Sequence, residues 1–193
     1  KISFVNGSEC NIKTDGDYSA IFGEKNTIEK SHCFIAGENN TSTGKNSVVF
    51  GQNCNAANYC LACGSSCDAS GDFSVSMGVN NIASGNYSVA LGGANYAFGE
   101  SSIALGRNSR AIGAVSVAMG CHSIAEGAFS VAIGKECYIG IDASNSVSFG
   151  ADCSTNGVGS ITLGYNSITS GDYCFAGNGG IASGNYSVAI GQK

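Results

Sequence analysis

Short segments of this chain alternate small residues with larger apolar ones, and each segment ends on a glycine. Residues 88–92, for example, read Ser-Val-Ala-Leu-Gly. Alternation with a period of two is typical of a β-strand, whose successive side chains point to opposite faces. Thirteen segments end in this way, at the closing glycines Gly23, Gly37, Gly51, Gly64, Gly78, Gly92, Gly106, Gly120, Gly134, Gly150, Gly164, Gly177 and Gly191.

The closing glycines recur at a nearly constant interval. Most intervals equal the one from Gly78 to Gly92, and the others differ from it by at most two residues. A second glycine, such as Gly99 after Gly92, divides each repeat into two short alternating segments. Glycine is expected at both places because it adopts positive φ in turns without steric cost. A repeat this short indicates one two-stranded unit stacked on itself. The sequence therefore predicts an all-β fold: a parallel β-roll, or solenoid, of about 13 rungs, forming a single array over residues 1–193 that is a fragment of a longer chain.

The alternation assigns side chains to two faces of the first strand in each rung. Serine and alanine recur on one face, four and two residues before the closing glycine, so we expect a thin interior without room for Leu or Phe. Larger apolar residues occupy the other face, which we call the apolar face: Val75, Met77, Val89, Leu91, Ile103, Leu105, Val117, Met119, Val131, Ile133, Val147, Phe149, Ile161, Leu163, Val188 and Ile190. A stripe of this size is too apolar to stay in water, which favours a buried subunit interface in a cyclic oligomer.

Residues 88–92, 102–106, 116–120 and 130–134 resemble the head repeat of trimeric autotransporter adhesins of the YadA type. The resemblance covers essentially the whole chain; it is strongest over residues 71–134 and looser before Gly44. It implies a left-handed parallel β-roll, a homotrimer around one axis, exposure on a bacterial surface and binding to host matrix or cells. Similar head repeats also occur in phage and virus fibres. One departure is the residue before the first-strand serine: Asn is common there in the family, whereas this chain has Tyr59, Phe73, Tyr87, Phe129, Tyr173 and Tyr186, with Asn only at Asn46 and Asn145.

Eight of the ten cysteines occupy interior positions of the repeat: Cys10, Cys33, Cys54, Cys60, Cys67, Cys137, Cys153 and Cys174. We therefore favour reduced thiols that act as small buried residues. Disulfides between Cys54 and Cys67 or between Cys137 and Cys153 are the alternative, because each pair occupies one position on successive rungs. Cys60 and Cys63 are spaced as in metal sites, but the alternation points them to opposite faces. Free thiols favour a phage or virus fibre assembled in a reducing cytosol over an exported adhesin.

Composition excludes several classes of function. The net charge is −5 without a basic cluster, so nucleic acid is not an expected partner. No apolar run approaches the length of about 18 residues that crosses a bilayer, so we expect no direct membrane insertion by this segment. The two histidines, His32 and His122, belong to no recognisable Ser/His/Asp arrangement, and the carboxylates lie mostly in turns. We expect no catalytic residue, no cofactor and no metal, hence no enzyme.

A binding surface is predicted on the outward side of the second strand, where residues vary most. The candidate positions, which we call the outer strip, are Ile82, Tyr96, Phe98, Arg110, Ile112, Ile124 and Tyr138. Aromatic residues and arginine are enriched at contact hot spots, although β-propensity on an exposed strand also explains them. An aromatic residue also recurs just before the first-strand serine position, at Tyr59, Phe73 and Tyr87. These aromatic residues suit packing at the rim between subunits better than stacking on sugars.

These patterns lead to one functional hypothesis with two alternatives. We expect a non-enzymatic trimeric surface adhesin or fibre head that attaches to host cells, matrix or surface glycans. Its partners would be two further copies of itself and a host surface protein or glycan. Its location would be extracellular, on a cell surface with an outer-membrane anchor, or on a virion. The alternatives are a phage or virus fibre segment that recognises a host surface, and a passive structural spacer.

Overall fold

The computed structural model of the chain describes residues 2–13 and 15–191. They form two compact units, Lys1–Ala94 and Asn95–Lys193, which we call unit 1 and unit 2. Within each unit, longer strands of mostly five residues alternate along the chain with two-residue strands, and strands of the same kind pair in parallel on successive rungs. Each unit is therefore a parallel β-solenoid, which confirms the all-β fold class.

The described residues of unit 1 form thirteen strands and those of unit 2 form fourteen. The strands of unit 1 are β1 (Phe4–Ser8), β2 (Asn11–Ile12), β3 (Ala20–Glu24), β4 (Thr27–Ile28), β5 (Phe34–Glu38), β6 (Thr41–Ser42), β7 (Val48–Gln52), β8 (Asn55–Ala56), β9 (Leu61–Ser65), β10 (Asp68–Ala69), β11 (Val75–Val79), β12 (Ile82–Ala83) and β13 (Val89–Gly93). Those of unit 2 are β14 (Tyr96–Ala97), β15 (Ile103–Arg107), β16 (Arg110–Ala111), β17 (Val117–Cys121), β18 (Ile124–Ala125), β19 (Val131–Lys135), β20 (Tyr138–Ile139), β21 (Val147–Ala151), β22 (Ser154–Thr155), β23 (Ile161–Tyr165), β24 (Ile168–Thr169), β25 (Phe175–Gly177), β26 (Ile181–Ala182) and β27 (Val188–Ile190).

The interior contains the small residues that the alternation assigned to it. Ala90, Ala104, Ala118 and Ala132 are fully buried. The first-strand serines Ser19, Ser47, Ser74, Ser88, Ser102, Ser116, Ser130, Ser146 and Ser160 are also buried. The interior is nevertheless less uniform than expected, because five β-branched aliphatic residues are buried there as well: Ile21, Ile28, Ile35, Val49 and Ile139. Four of these five lie in unit 1, whose interior therefore contains more large aliphatic side chains than that of unit 2.

Closing glycines are required by the distance between rungs as well as by their backbone angle. Gly106 lies opposite Gly120 in the β15–β17 ladder and has φ = 112°. A Cβ added at Gly106 would overlap the carbonyl oxygen of Gly120. The left-handed turn positions, in contrast, are mostly occupied by other residues, among them Tyr87 at φ = 59° and Val115 at φ = 56°. The expectation that glycines supply the positive-φ turn positions is therefore only partly right.

Two positions differ from the closing-glycine assignment made from sequence. Gly7 pairs with Gly23 and is a closing glycine that the sequence pattern did not reveal, because Asn6 occupies the position where most repeats have a larger apolar residue. Gly177 pairs with Leu163 and Ile190, so it occupies an apolar-face position and is not a closing glycine. The physical reason is a turn shortened by one residue after β25, where Asn178 and Gly179 both adopt positive φ.

Candidate binding surfaces

The predicted apolar face lies outside the core of each unit. None of its sixteen residues is buried in the protomer, and Phe149 and Ile161 expose 54% and 41% of their surfaces. In unit 2 the face is continuous from rung to rung, because Val117 pairs with Ile103 and with Val131, and Met119 pairs with Leu105 and with Ile133. Val75, Met77, Val89 and Leu91 make the same pairs within unit 1. The protomer therefore presents apolar side chains on the outward side of its long strands.

In unit 1 the same face continues as an aromatic cluster that the sequence prediction did not include. Phe4, Phe22, Phe34 and Phe50 contact one another in chain order, with ring centroids 5.4 to 5.6 Å apart. They lie one or three residues before a closing glycine, which is the position rule already used for the aliphatic residues. Applying that rule to the rungs before Val75 would have found Phe22, Phe34 and Phe50, and recognising Gly7 as a closing glycine would have added Phe4.

The structure brings part of the outer strip together. Tyr96 and Phe98 have ring centroids 5.6 Å apart, and with Arg110 they line a small cavity of about 240 Å³. Arg110 pairs with Tyr96 across β14 and β16. Ile124 and Tyr138 follow on the next two rungs.

The remaining members of the outer strip are less closely grouped. Ile112 is half-buried in the turn after β16, and Ile82 belongs to unit 1, where it pairs with Asp68. The Tyr138 hydroxyl donates a hydrogen bond of 2.9 Å to Glu126 Oε2, and this bond raises the pKa of Tyr138. Tyr96, Phe98 and Arg110 therefore form the compact part of the strip.

All ten cysteines are free thiols in the structure. Seven of the eight assigned to the interior are buried, and Cys10 is half-buried. Their thiols donate hydrogen bonds to glycine carbonyls of the next rung, as from Cys54 to Gly64 (3.3 Å) and from Cys60 to Gly71 (2.9 Å). Amide and hydroxyl groups have this role on other rungs, so the thiols are hydrogen-bond donors as well as small buried groups.

The alternative disulfides are not formed. Cys54 and Cys67 lie side by side on successive rungs as free thiols, and their interaction together with burial raises the pKa of Cys54. The same interaction lowers the pKa of Cys67. Burial raises the pKa of the Cys137 thiol, whose hydrogen bond goes to the Gly150 carbonyl (3.3 Å).

Over residues 2–13 and 15–191, the structure shows no cluster of three or more His, Cys, Asp or Glu side chains that could hold a metal ion. Within the same residues, no helix has the length and apolar character needed to cross a membrane. The apolar face and the outer strip are the candidate functional features, one apolar and one mixed aromatic and cationic.

The repeats match a known family. The family model described as a YadA head domain repeat matches residues 69–95, 83–109, 97–120, 111–136 and 177–193. These matches confirm the resemblance drawn from the Ser-Val-Ala-Leu-Gly segments over residues 69–136 and 177–193. No curated protein matches the chain.

Proposed function

Because this chain contains a YadA-like head domain, we propose that it is the non-enzymatic head of a trimeric surface adhesin. In this role it attaches its bearer to host cells, extracellular matrix or surface glycans. The observation that carries the proposal is the apolar face, which the folded protomer leaves accessible, whereas the residue between each pair of face residues is fully buried on every strand except β27. Monomeric proteins rarely expose an apolar surface of this extent.

Association through the apolar face has a sufficient driving force. Burying one Val, Leu, Ile or Met side chain stabilises a complex by about 1.5–3 kcal/mol. The face carries such residues in pairs on successive rungs, as at Val117 and Met119 on β17. A cyclic arrangement of three copies would let each apolar face meet its neighbours around one axis, and closure around an axis leaves no open face for further addition.

The compact part of the outer strip is the proposed contact surface for the host. Tyr96, Phe98 and Arg110 are the residue types that dominate contact energies, and they lie on or next to the short strands rather than on the apolar face. Three copies in one trimer would present three such surfaces. Linked weak contacts then gain strength by avidity. We place the trimer on the outside of the cell, anchored to the outer membrane.

A fibre segment of a phage or virus is the second candidate, and the cysteines favour it. Ten free thiols, seven of them buried in the interior, suit a chain that folds in a reducing compartment. If the outer strip makes no contact with a host surface, the protein acts only as a passive structural spacer.

Substitution on the apolar face tests the assembly. The double variant Val117→Asp/Met119→Asp should give monomers or insoluble chains, measured as molar mass by light scattering after size exclusion. The milder pair Val117→Ser/Met119→Ser keeps the chain soluble enough to measure. Ala114→Asp, in an exposed turn of the same unit, is the control and should keep the trimer mass. An unaltered trimer in both double variants would refute the role of the face.

Attachment itself is tested on the outer strip. The triple variant Tyr96→Ala/Phe98→Ala/Arg110→Ala should lower binding to host cells at least tenfold without changing the molar mass. Tyr165→Ala removes another exposed tyrosine of unit 2 and should leave binding intact. Equal binding by the triple variant and the parent protein would favour the passive spacer.

A further inference from the structure

Four consecutive turns of unit 1 form a polar groove with a volume of about 640 Å³. It lies where the short strands lead into the long ones, and its walls include Asp15, Asp17, Lys30, Thr43, Lys45 and Asn58. We call it the turn groove. A cavity of this volume falls within the range of about 300–1,000 Å³ found for small-molecule sites.

The turn groove arises where the repeat departs from its usual length. The interval from Gly7 to Gly23 is two residues longer than most, and the extra residues enlarge the turn that contains Asp15. The interval from Gly51 to Gly64 is one residue shorter than most, and its turn is reduced at Asn58. Two turns of ordinary length lie between the long turn and the short one. The long turn at Asp15 and the short turn at Asn58 therefore lie on either side of a depression that a solenoid with equal turns would lack.

The long turn is held in place by specific contacts. The Gly16 amide donates a hydrogen bond to the Lys13 carbonyl (2.8 Å), which closes the turn. Lys30 Nζ lies 3.0 Å from Asp15 Oδ2 and ties the long turn to the next rung. The His32 amide donates to the Asp17 carbonyl (2.9 Å). These contacts connect Asp15 and Asp17 to the next rung.

An aromatic pair forms one side of the turn groove. The Tyr18 and His32 rings stack with centroids 5.3 Å apart and an interplanar angle of 19°, and both side chains are exposed. Lys45 Nζ lies 5.8 Å from the centre of the Tyr59 ring. Formal charge balances, because Lys30 and Lys45 offset Asp15 and Asp17. Exposed aromatic carbon therefore lies beside carboxylate, amide and ammonium groups without an excess of either sign.

We propose that the turn groove binds a neutral pyranose unit of a surface glycan. The carbon-bound hydrogens of one pyranose face pack on the Tyr18–His32 pair, as apolar groups pack on aromatic rings. The sugar hydroxyls donate to the Asp15 carboxylate and accept from Lys45, and hydrogen bonds to charged groups are the stronger ones. The balanced charge favours a neutral sugar over a polyanion. This inference rests on the proposed adhesive function and names a ligand class for it.

Saturation-transfer NMR on the purified protein tests the proposal with methyl β-galactopyranoside, methyl α-glucopyranoside and methyl α-mannopyranoside as probes. We expect saturation of ring protons in at least one probe, reduced at least fivefold by Tyr18→Asn. Asn46 has φ = 55° at the equivalent position two rungs later, so asparagine fits the backbone there. Tyr87→Asn makes the same change at an equivalent exposed position outside the turn groove and should keep the signal. Lys45→Gln should weaken it severalfold.

Two results would overturn the proposal: no saturation of any of the three probes, or an equal signal from Tyr18→Asn and the parent protein. The part of the NMR signal that Tyr18→Asn removes reports on the turn groove, whereas cell attachment reports on the whole head. Absent saturation with intact cell attachment removes only the groove proposal. Saturation without any cell attachment keeps the groove and removes the adhesive function.

Discussion

Interior serines of this solenoid differ in hydrogen bonding although they share one position in the repeat. The Ser160 hydroxyl donates to the Gly171 carbonyl and accepts from the Cys174 amide, both at 3.0 Å. The Ser116 hydroxyl is buried without a hydrogen-bond partner among the described residues. Small size is therefore what every rung requires at this position, and hydrogen bonding is added on some rungs only.

Alanine substitution should change the free energy of unfolding differently at these two serines. Ser160→Ala should lower the free energy of unfolding by about 1–2 kcal/mol, because it leaves the Cys174 amide without its acceptor. Ser116→Ala should be neutral or stabilising, because it removes an unsatisfied buried hydroxyl. Urea denaturation followed by circular dichroism measures both. Equal losses in the two variants would contradict the assignment.

Left-handed turn positions give a second residue-scale prediction. Val115 adopts φ = 56°, a region that costs a residue with a branched Cβ about 1–2 kcal/mol. Asn145 occupies the equivalent position on another rung at φ = 59°. Val115→Asn should therefore raise the free energy of unfolding by about 1 kcal/mol. The reverse change, Asn145→Val, should lower it by a similar amount, and a gain from both changes would argue against backbone strain as the cause.

At the scale of elements, the long strands tolerate little change in length and the turns tolerate more. The interval between Gly134 and Gly150 is two residues longer than the usual one, yet these glycines pair directly across β19 and β21. The two extra residues are Ile141 and Asp142, which lie in an exposed turn. The strands keep their register because a slip of one residue would exchange the interior and the apolar face.

Deleting Ile141 and Asp142 together should therefore preserve the fold and leave the melting temperature equal or higher. The deletion removes an isoleucine that is 70% exposed and restores the usual interval between closing glycines. Deleting Val117 and Ala118 from β17 is the matched control and should abolish folding, since it removes strand residues paired on both sides. Differential scanning calorimetry compares the two. A large fall in melting temperature for the turn deletion would show that this turn is structural.

The element scale also explains which features were predictable from sequence. Alternation assigned Val89 and Leu91 to one face and Ser88 and Ala90 to the other, since the side-chain period of a strand is two. Gly177 was misassigned because the sequence alone cannot distinguish a glycine in an apolar-face position from a closing glycine. Its pairing with Leu163 shows that it occupies an apolar-face position. The turn groove was not foreseen because it depends on the relative lengths of four successive turns.

At the scale of the whole molecule, buried thiols link stability to alkaline pH. Burial raises the pKa of Cys137 in the folded chain, whereas the thiol in the unfolded chain ionises near a pH of about 8.5. Above that pH the unfolded state releases a proton that the folded state retains, so the free energy of unfolding falls as pH rises. The contribution is fully present below about pH 8.5 and disappears as pH passes the raised pKa of the folded thiol.

Cys137→Ser should therefore make the molecule less sensitive to alkaline pH. Ser123 occupies the same position on the preceding rung and donates to the Gly134 carbonyl (3.0 Å), so serine fits there. Urea unfolding at pH 7 and pH 10 should show a smaller loss of stability in the variant than in the parent, by up to about 2 kcal/mol. Ser123→Ala, which changes the same interior position on the preceding rung without altering any ionisable group, is the control and should leave the pH dependence unchanged. An identical loss for Cys137→Ser and the parent protein would mean that ionisation of this thiol does not limit the stability of the head.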